Sequence, residues 1–200
     1  MQFDEESRGF SLKEEGPLDM RMDPTTPYTA EQFVNEASEE ELGKVFREYG
    51  EEKLWRKGAK AIVRARHRRI RTTKELSEII ETVIPRGKKQ KIHPATRIFQ
   101  AIRIYVNKEL SSVEQSIAKA MKHLAPKGRI AALSFHSLED RIVKNVFREA
   151  SQPLKNVRGE VVKKAMMQVL TKKPLIPSRA ECRKNRRARS AKLRAAAMRG

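Results

Sequence analysis

Cysteine is almost missing from this 200-residue chain: Cys182 stands alone, which excludes an intrachain disulfide and any cysteine cluster for a metal. Aromatic residues are scarce, at 6%, and few lie beside the basic runs, so stacking of bases on an aromatic platform is a poor primary mode of binding. No apolar run approaches the roughly 18 residues that span a bilayer. The opening MQFDEESRGF has neither a basic leader nor an apolar segment. Membrane insertion and classical secretion are therefore not expected, and a reducing, cytoplasmic setting is. The sequence also lacks G-x-G-x-x-G and G-x-x-x-x-G-K-[ST], so no familiar phosphate-cradling turn announces itself.

Acidic residues are abundant at one end of the chain and rare at the other. Residues 1–50 carry a net charge of −8, residues 51–100 carry +10, residues 101–150 carry +4 and residues 151–200 carry +13, for a total of +19. Such asymmetry points to a polyanionic partner, RNA first, with DNA or anionic lipid as rivals and a merely solubilising surface as the plain alternative. With 38% hydrophobic and 34% charged residues, the chain is polar yet able to bury a core.

Residues 1–28, rich in glycine and proline, read as a loop segment. From Thr29 the periodicity predicts four short helices up to residue 84. Capping signals stand at Thr29 with Gln32, Ser38 with Glu41, and Thr72 with Glu75, and Gly50 can close the second helix. Trp55 shares a face with Ala59, Ile62 and Val63 and reads as core, whereas RARHRRIR (64–71) makes the polar face basic. Residues 85–94 read as a charged loop. Pro94 is placed as the first residue of a longer helix, and Ser111 with Glu114 opens another. RIAALSF (129–135) reads as a buried strand, and Ser137 caps the helix that follows. Residues 151–165 are weakly patterned. MQVLTK (167–172) and SAKLRAA (190–196) are read as an antiparallel pair flanking the basic stretch 179–189, although the second has a helical propensity.

The stretches RGFSLKEEGPLDMRMD (8–23), TTKEL (72–76), HPATRIFQAIRIYVNKEL (93–110), GRIAALSFHSLEDRIVK (128–144) and KKPLIPS…NRRARSAKLRAA (172–196) resemble, in order and spacing, the bacterial 16S rRNA cytidine N4-methyltransferase family of the MraW type. The resemblance implies an α/β, class I Rossmann-like methyltransferase fold that uses S-adenosyl-L-methionine, with an inserted all-helical subdomain. It further implies an N-terminally truncated version of that fold. Residues 1–28 would be the loop after the fourth strand, 29–92 the inserted substrate-recognition subdomain, and 93–200 the C-terminal part of the α/β domain with a basic tail. The glycine-rich first loop and the acidic cofactor contacts would precede Met1, leaving Gln2 as the cofactor-binding residue carried over. On that reading the chain alone binds the cofactor weakly. Its alternative role is a noncatalytic RNA-binding remnant or ribosome-assembly factor. Arg186 departs from the family pattern, which has proline there.

No catalytic residue is assigned. The candidates for lining the cleft are His136, at the C-terminal end of the expected strand, and Asp19 and Asp23 in the PLDMRMD loop. For each, a structural role stands beside the functional one. Arg97, Gln100, Arg103 and Asn107 stripe one side of a helix and are candidates for substrate contact, or for bonds between helix and sheet. Arg64, Arg68, Arg187 and Arg189 are expected to attract phosphates. The implied partner is 16S rRNA within the small ribosomal subunit, and exposed sheet surface is expected to favour self-association. No metal is expected.

Overall fold

The computed structural model describes residues 9–10, 12, 15–86 and 93–200. Gln2 and most of the charged loop before Pro94 lie outside the described residues. The chain forms two compact units, residues 1–109 and 110–200.

The first unit is helical: α1 (Ala30–Glu36), α2 (Glu39–Glu48), α3 (Trp55–Ala65), α4 (Thr73–Glu81) and α5 (Thr96–Val106). Thr29 and Thr72 make full capping boxes with Gln32 and Glu75, and Ser38 accepts the N–H of Glu41. Phe33, Leu42, Phe46, Ile62, Leu76 and Ile80 are wholly buried, and α5 contributes Ile98 and Ile102 to the same core. Each such side chain stabilises the unit by about 1.5–3 kcal/mol. Gly50 follows α2 where a Cβ would lie 2.7 Å from the carbonyl oxygens of Phe46 and Arg97, so only glycine lets α5 approach this closely. Trp55 is half-buried. It packs against the core from one side and lies between the guanidinium groups of Arg47 and Arg56, at 5.4 and 4.3 Å. Pro94 does not begin α5: residues 94–95 form a turn and the helix starts at Thr96.

The second unit is mixed α/β. It contains α6 (Glu109–Lys122, its first residue counted with the first unit), β1 (Arg129–Ser134), α7 (Ser137–Ala150), the hairpin β2 (Leu154–Lys155) and β3 (Val161–Lys163), β4 (Met167–Val169), α8 (Arg179–Lys184), a 3-10 helix (Arg186–Ser190) and β5 (Lys192–Met198). The helix expected from Ser111 begins two residues earlier, at Glu109. A three-stranded sheet has the order β1-β5-β4, with β5 antiparallel to both neighbours. Its Ile130–Ala196–Val169 row faces Ile117, Met121, Val143 and Phe147 of α6 and α7. The weakly patterned segment holds the separate hairpin, whose turn is set by Asn156 and by Gly159 at φ +83°.

Candidate nucleic-acid interface

In the first unit, the PLDMRMD loop is fixed by its own side chains. Asp19 pairs with Arg21 through two bonds of 2.7 and 2.8 Å, and Arg21 also donates to the carbonyls of Pro24 and Thr26. Thr25 donates its hydroxyl and its N–H to Asp23, which holds that carboxyl below the usual carboxylate range. Met20 between them is buried with φ +58°, a left-handed conformation that costs a non-glycine residue about 1–3 kcal/mol. Asn107 supports it, donating to Met20 O at 2.7 Å and accepting from Met22 N at 2.6 Å.

The stripe on α5 therefore has bracing partners. Asn107 also donates to Arg103 O, Arg103 makes a two-bond pair with Glu109 at 2.7 and 2.9 Å, and Arg97 lies 3.8 Å from Glu52. Gln100 is half-buried on the same helix. The basic run 64–71 divides in the same way. Arg66 donates to the carbonyls of Asn35 and Ala37, and Arg69 pairs with Glu31 at 2.6 Å. Arg64, Arg68 and Arg71 are exposed. Beside them lies a groove of about 460 Å³ between α3 and α4, floored by Ala61, Ala65, Ile79 and Val83 and edged by Lys57, Lys60 and Arg64.

In the second unit, β1 leads into α7 through Phe135 and His136. His136, not Ser137, caps α7: its Nδ1 accepts the Glu139 N–H at 3.4 Å, while Glu139 Oε2 accepts the N–H groups of Phe135 and His136 at 2.8 and 3.3 Å. His136 Nε2 lies 3.2 Å from Glu139 Oε1 but off the line a hydrogen bond requires. Burial works to raise the Glu139 carboxyl, yet the bonds from His136 and Phe135 outweigh it and leave it below the usual range. The next residue, Asp140, is buried and pairs with Arg194 of β5 at 2.6 and 3.1 Å, which draws its carboxyl down in the same direction. Arg183, Lys184, Arg186, Arg187 and Arg189 are all exposed around buried Ala188.

The sequence places Glu139 and Asp140 in the first turn of α7 but marks neither of them, nor Arg194 or Arg21, as a site residue. A glutamate three residues after the cap is a local signal that could have found Glu139. Nothing local marks the Asp140–Arg194 pair, whose members lie 54 residues apart.

The chemistry these groups permit is binding and orientation: exposed arginines for phosphates, and a braced loop and capped helix as rigid supports. Several relatives carry the name "Ribosomal RNA small subunit methyltransferase H". Those of Carboxydothermus hydrogenoformans, Rippkaea orientalis and Acidobacterium capsulatum are 49%, 50% and 48% identical over 98% of this chain. The chain spans 64%, 59% and 62% of their respective lengths. The MraW methylase family profile matches residues 1–199. The chain belongs to the MraW methylase family.

Proposed function

We propose that this chain is the RNA-handling part of an S-adenosyl-L-methionine-dependent methyltransferase that modifies N4 of a cytidine in the decoding region of 16S rRNA. The observation that carries the reading is identity near one half, along almost the whole chain, with relatives named as ribosomal RNA small-subunit methyltransferases. The exposed arginines at 64, 68, 187 and 189 support it physically, since exposed cations supply sequence-independent attraction to phosphates. Residues 29–92 are assigned as the inserted substrate-recognition subdomain of a class I Rossmann-like fold. Residues 1–28 and 93–200 are assigned to the methyltransferase domain itself. The site of action we assign is the cytoplasm, where small subunits are built.

At the turn from β1 to α7, the N–H groups of Phe135, His136 and Glu139 are already bonded within the capping box. Those three donors therefore do not fit a carboxylate of S-adenosyl-L-methionine. When bound, the cofactor supplies an electrophilic methyl group. The part assigned to this chain is to hold the RNA so that the amine can be presented, with proximity and orientation doing most of the work. We assign each of these candidates a supporting role within its own unit: His136 fixes the start of α7, and Asp19 and Asp23 fix the loop before α1. Asn107 ties the end of α5 to that loop, Arg97 and Arg103 brace the helix through Glu52 and Glu109, and Gln100 is kept as a candidate substrate contact. A second copy of the chain is the partner we assign to the exposed apolar side chains Leu133 and Phe135, because β1 is an edge strand of the described sheet. Sedimentation at rising concentration tests this, and a constant monomer mass contradicts it.

The functional reading is tested in cells lacking the gene. Their 16S rRNA is expected to lose one N4-methylated cytidine in the decoding region and to regain it when the gene is restored, as read by mass spectrometry of nuclease fragments. Persistence of the modification in the deletion strain contradicts the reading. A ribosome-assembly role without methyl transfer would instead appear as slow subunit maturation with modification unchanged.

A further inference from the structure

We infer that a basic concavity at one end of the three-stranded sheet binds the phosphate backbone of RNA. The inference rests on the proposal that the chain works on RNA, and it places a contact surface in the second unit apart from the 186–190 segment. The concavity measures about 1140 Å³. Five cations line it: Lys127 in the turn ahead of β1, Arg129 at the first position of β1, Lys163 and Lys164 at the end of β3, and Arg199 just past β5. All five residues are exposed, and none of the side chains lining the concavity is acidic.

Strand register explains why the charges gather there. Arg129 stands opposite Ala197 and Ala197 opposite Gln168, so the three form one row across β1, β5 and β4. The adjacent row, Ile130–Ala196–Val169, belongs to the core beneath α7. Side chains alternate between faces along a strand, so Arg129 and Gln168 point away from that core, with the small Ala197 keeping the floor low between them. Arg199 is tied to the edge strand, its N–H donating to Met166 O at 2.9 Å and its Nε to Met167 O at 3.1 Å. The opposite wall is the hairpin. Asn156 Oδ1 accepts the N–H groups of Arg158 and Glu160 at 3.0 and 2.9 Å, which fixes the turn and holds β3 in register to present Lys163.

Charge decides the ligand: five cations from three separate stretches of chain line the concavity. Like charges gathered without an acidic side chain among them repel one another and are best offset by an anion long enough to touch several of them. RNA meets that requirement, and Gln168 adds an amide able to bond a phosphate oxygen or a 2′-hydroxyl. Arg129 and Ser134 mark the two ends of β1, roughly 17 Å apart at strand spacing, so RNA held here lies at the far end of the strand from His136.

The test is a fluorescence-anisotropy titration of the full chain with a decoding-region RNA at several salt concentrations. It compares the unsubstituted protein with Lys163→Gln/Lys164→Gln and with Arg129→Gln. Losing two phosphate contacts is expected to make the slope of log K against log salt shallower by about 1.4–1.8, and losing one by about 0.7–0.9. Circular dichroism and melting verify that the variants are folded. Unchanged slopes in folded variants, with the unsubstituted chain still binding in a salt-dependent way, overturn the inference alone. Absence of salt-dependent RNA binding by the unsubstituted chain overturns the RNA reading, and the inference with it.

Discussion

Asn107 supplies three hydrogen bonds from one amide, to Met20 O, Arg103 O and Met22 N, and so ties the left-handed Met20 loop to the end of α5. Replacing it with alanine leaves those part-buried backbone groups unsatisfied, and is expected to destabilise the first unit by about 1–3 kcal/mol. Urea unfolding reads this directly. If Asn107 served only to touch substrate, the unfolding midpoint would stay where it is while RNA affinity fell. Asp140 and Arg194 pose the same question in the second unit. Removing Arg194 leaves the buried Asp140 carboxylate only Lys192 Nζ at 3.5 Å, so Arg194→Ala is expected to cost toward the low end of about 3–5 kcal/mol. The pair also sets a pH dependence. Arg194 lowers the Asp140 carboxyl in the folded state, so the stability it contributes is present above the ordinary aspartate value of about 3.9 and is lost as pH falls through the lower folded value. Thermal melts of the unsubstituted chain across that acid range, compared with Arg194→Ala, should therefore converge at the lowest pH. A constant gap between them would contradict the assignment.

At the scale of elements, what was legible in the sequence is what local chemistry decides. The boxes at Thr29 and Thr72 are complete within four residues each, and both form as read. Thr72→Ala is expected to lose about 1 kcal/mol in thermal or urea unfolding, and an unchanged midpoint would show that the backbone bridge between Pro17 and Thr72 holds α4 without the cap. The start of α7 was less legible. Serine is a strong cap and Ser137 would pair naturally with Asp140, but Arg194 claims Asp140 from across the sheet, and Glu139 and His136 form the box instead. β5 shows the opposite balance. The run KLRAAAM prefers helix by propensity, yet small alanines fit between β1 and β4, and pairing on both sides overrides the local tendency. The hairpin at 154–163 escaped notice because its strands are too short for alternation to register, although Asn156 and Gly159 carry the turn chemistry.

Across the whole molecule, the net charge of +19 does not state how much charge faces a partner. In RARHRRIR, Arg66 is bound to backbone carbonyls and Arg69 is paired with Glu31 at the surface, while Arg64 and Arg68 stay exposed, a division that composition cannot make. Asn107 has bracing partners of the same kind: its bonds to Met20 and Met22 run to residues 87 and 85 positions away that only the fold brings near. Cations that remain exposed still supply the electrostatic signature of an RNA-handling chain, and that signature is measurable. The most direct measurement is the affinity of the unsubstituted chain for a structured decoding-region RNA at low and near-physiological salt. Four phosphate contacts, the number that Arg64, Arg68, Arg187 and Arg189 can supply, correspond to an affinity loss of roughly 50–150-fold between about 50 and 200 mM salt. A loss of that size or larger is the expected result. Binding that ignores salt, or a clear preference for duplex DNA over the structured RNA, would contradict the account.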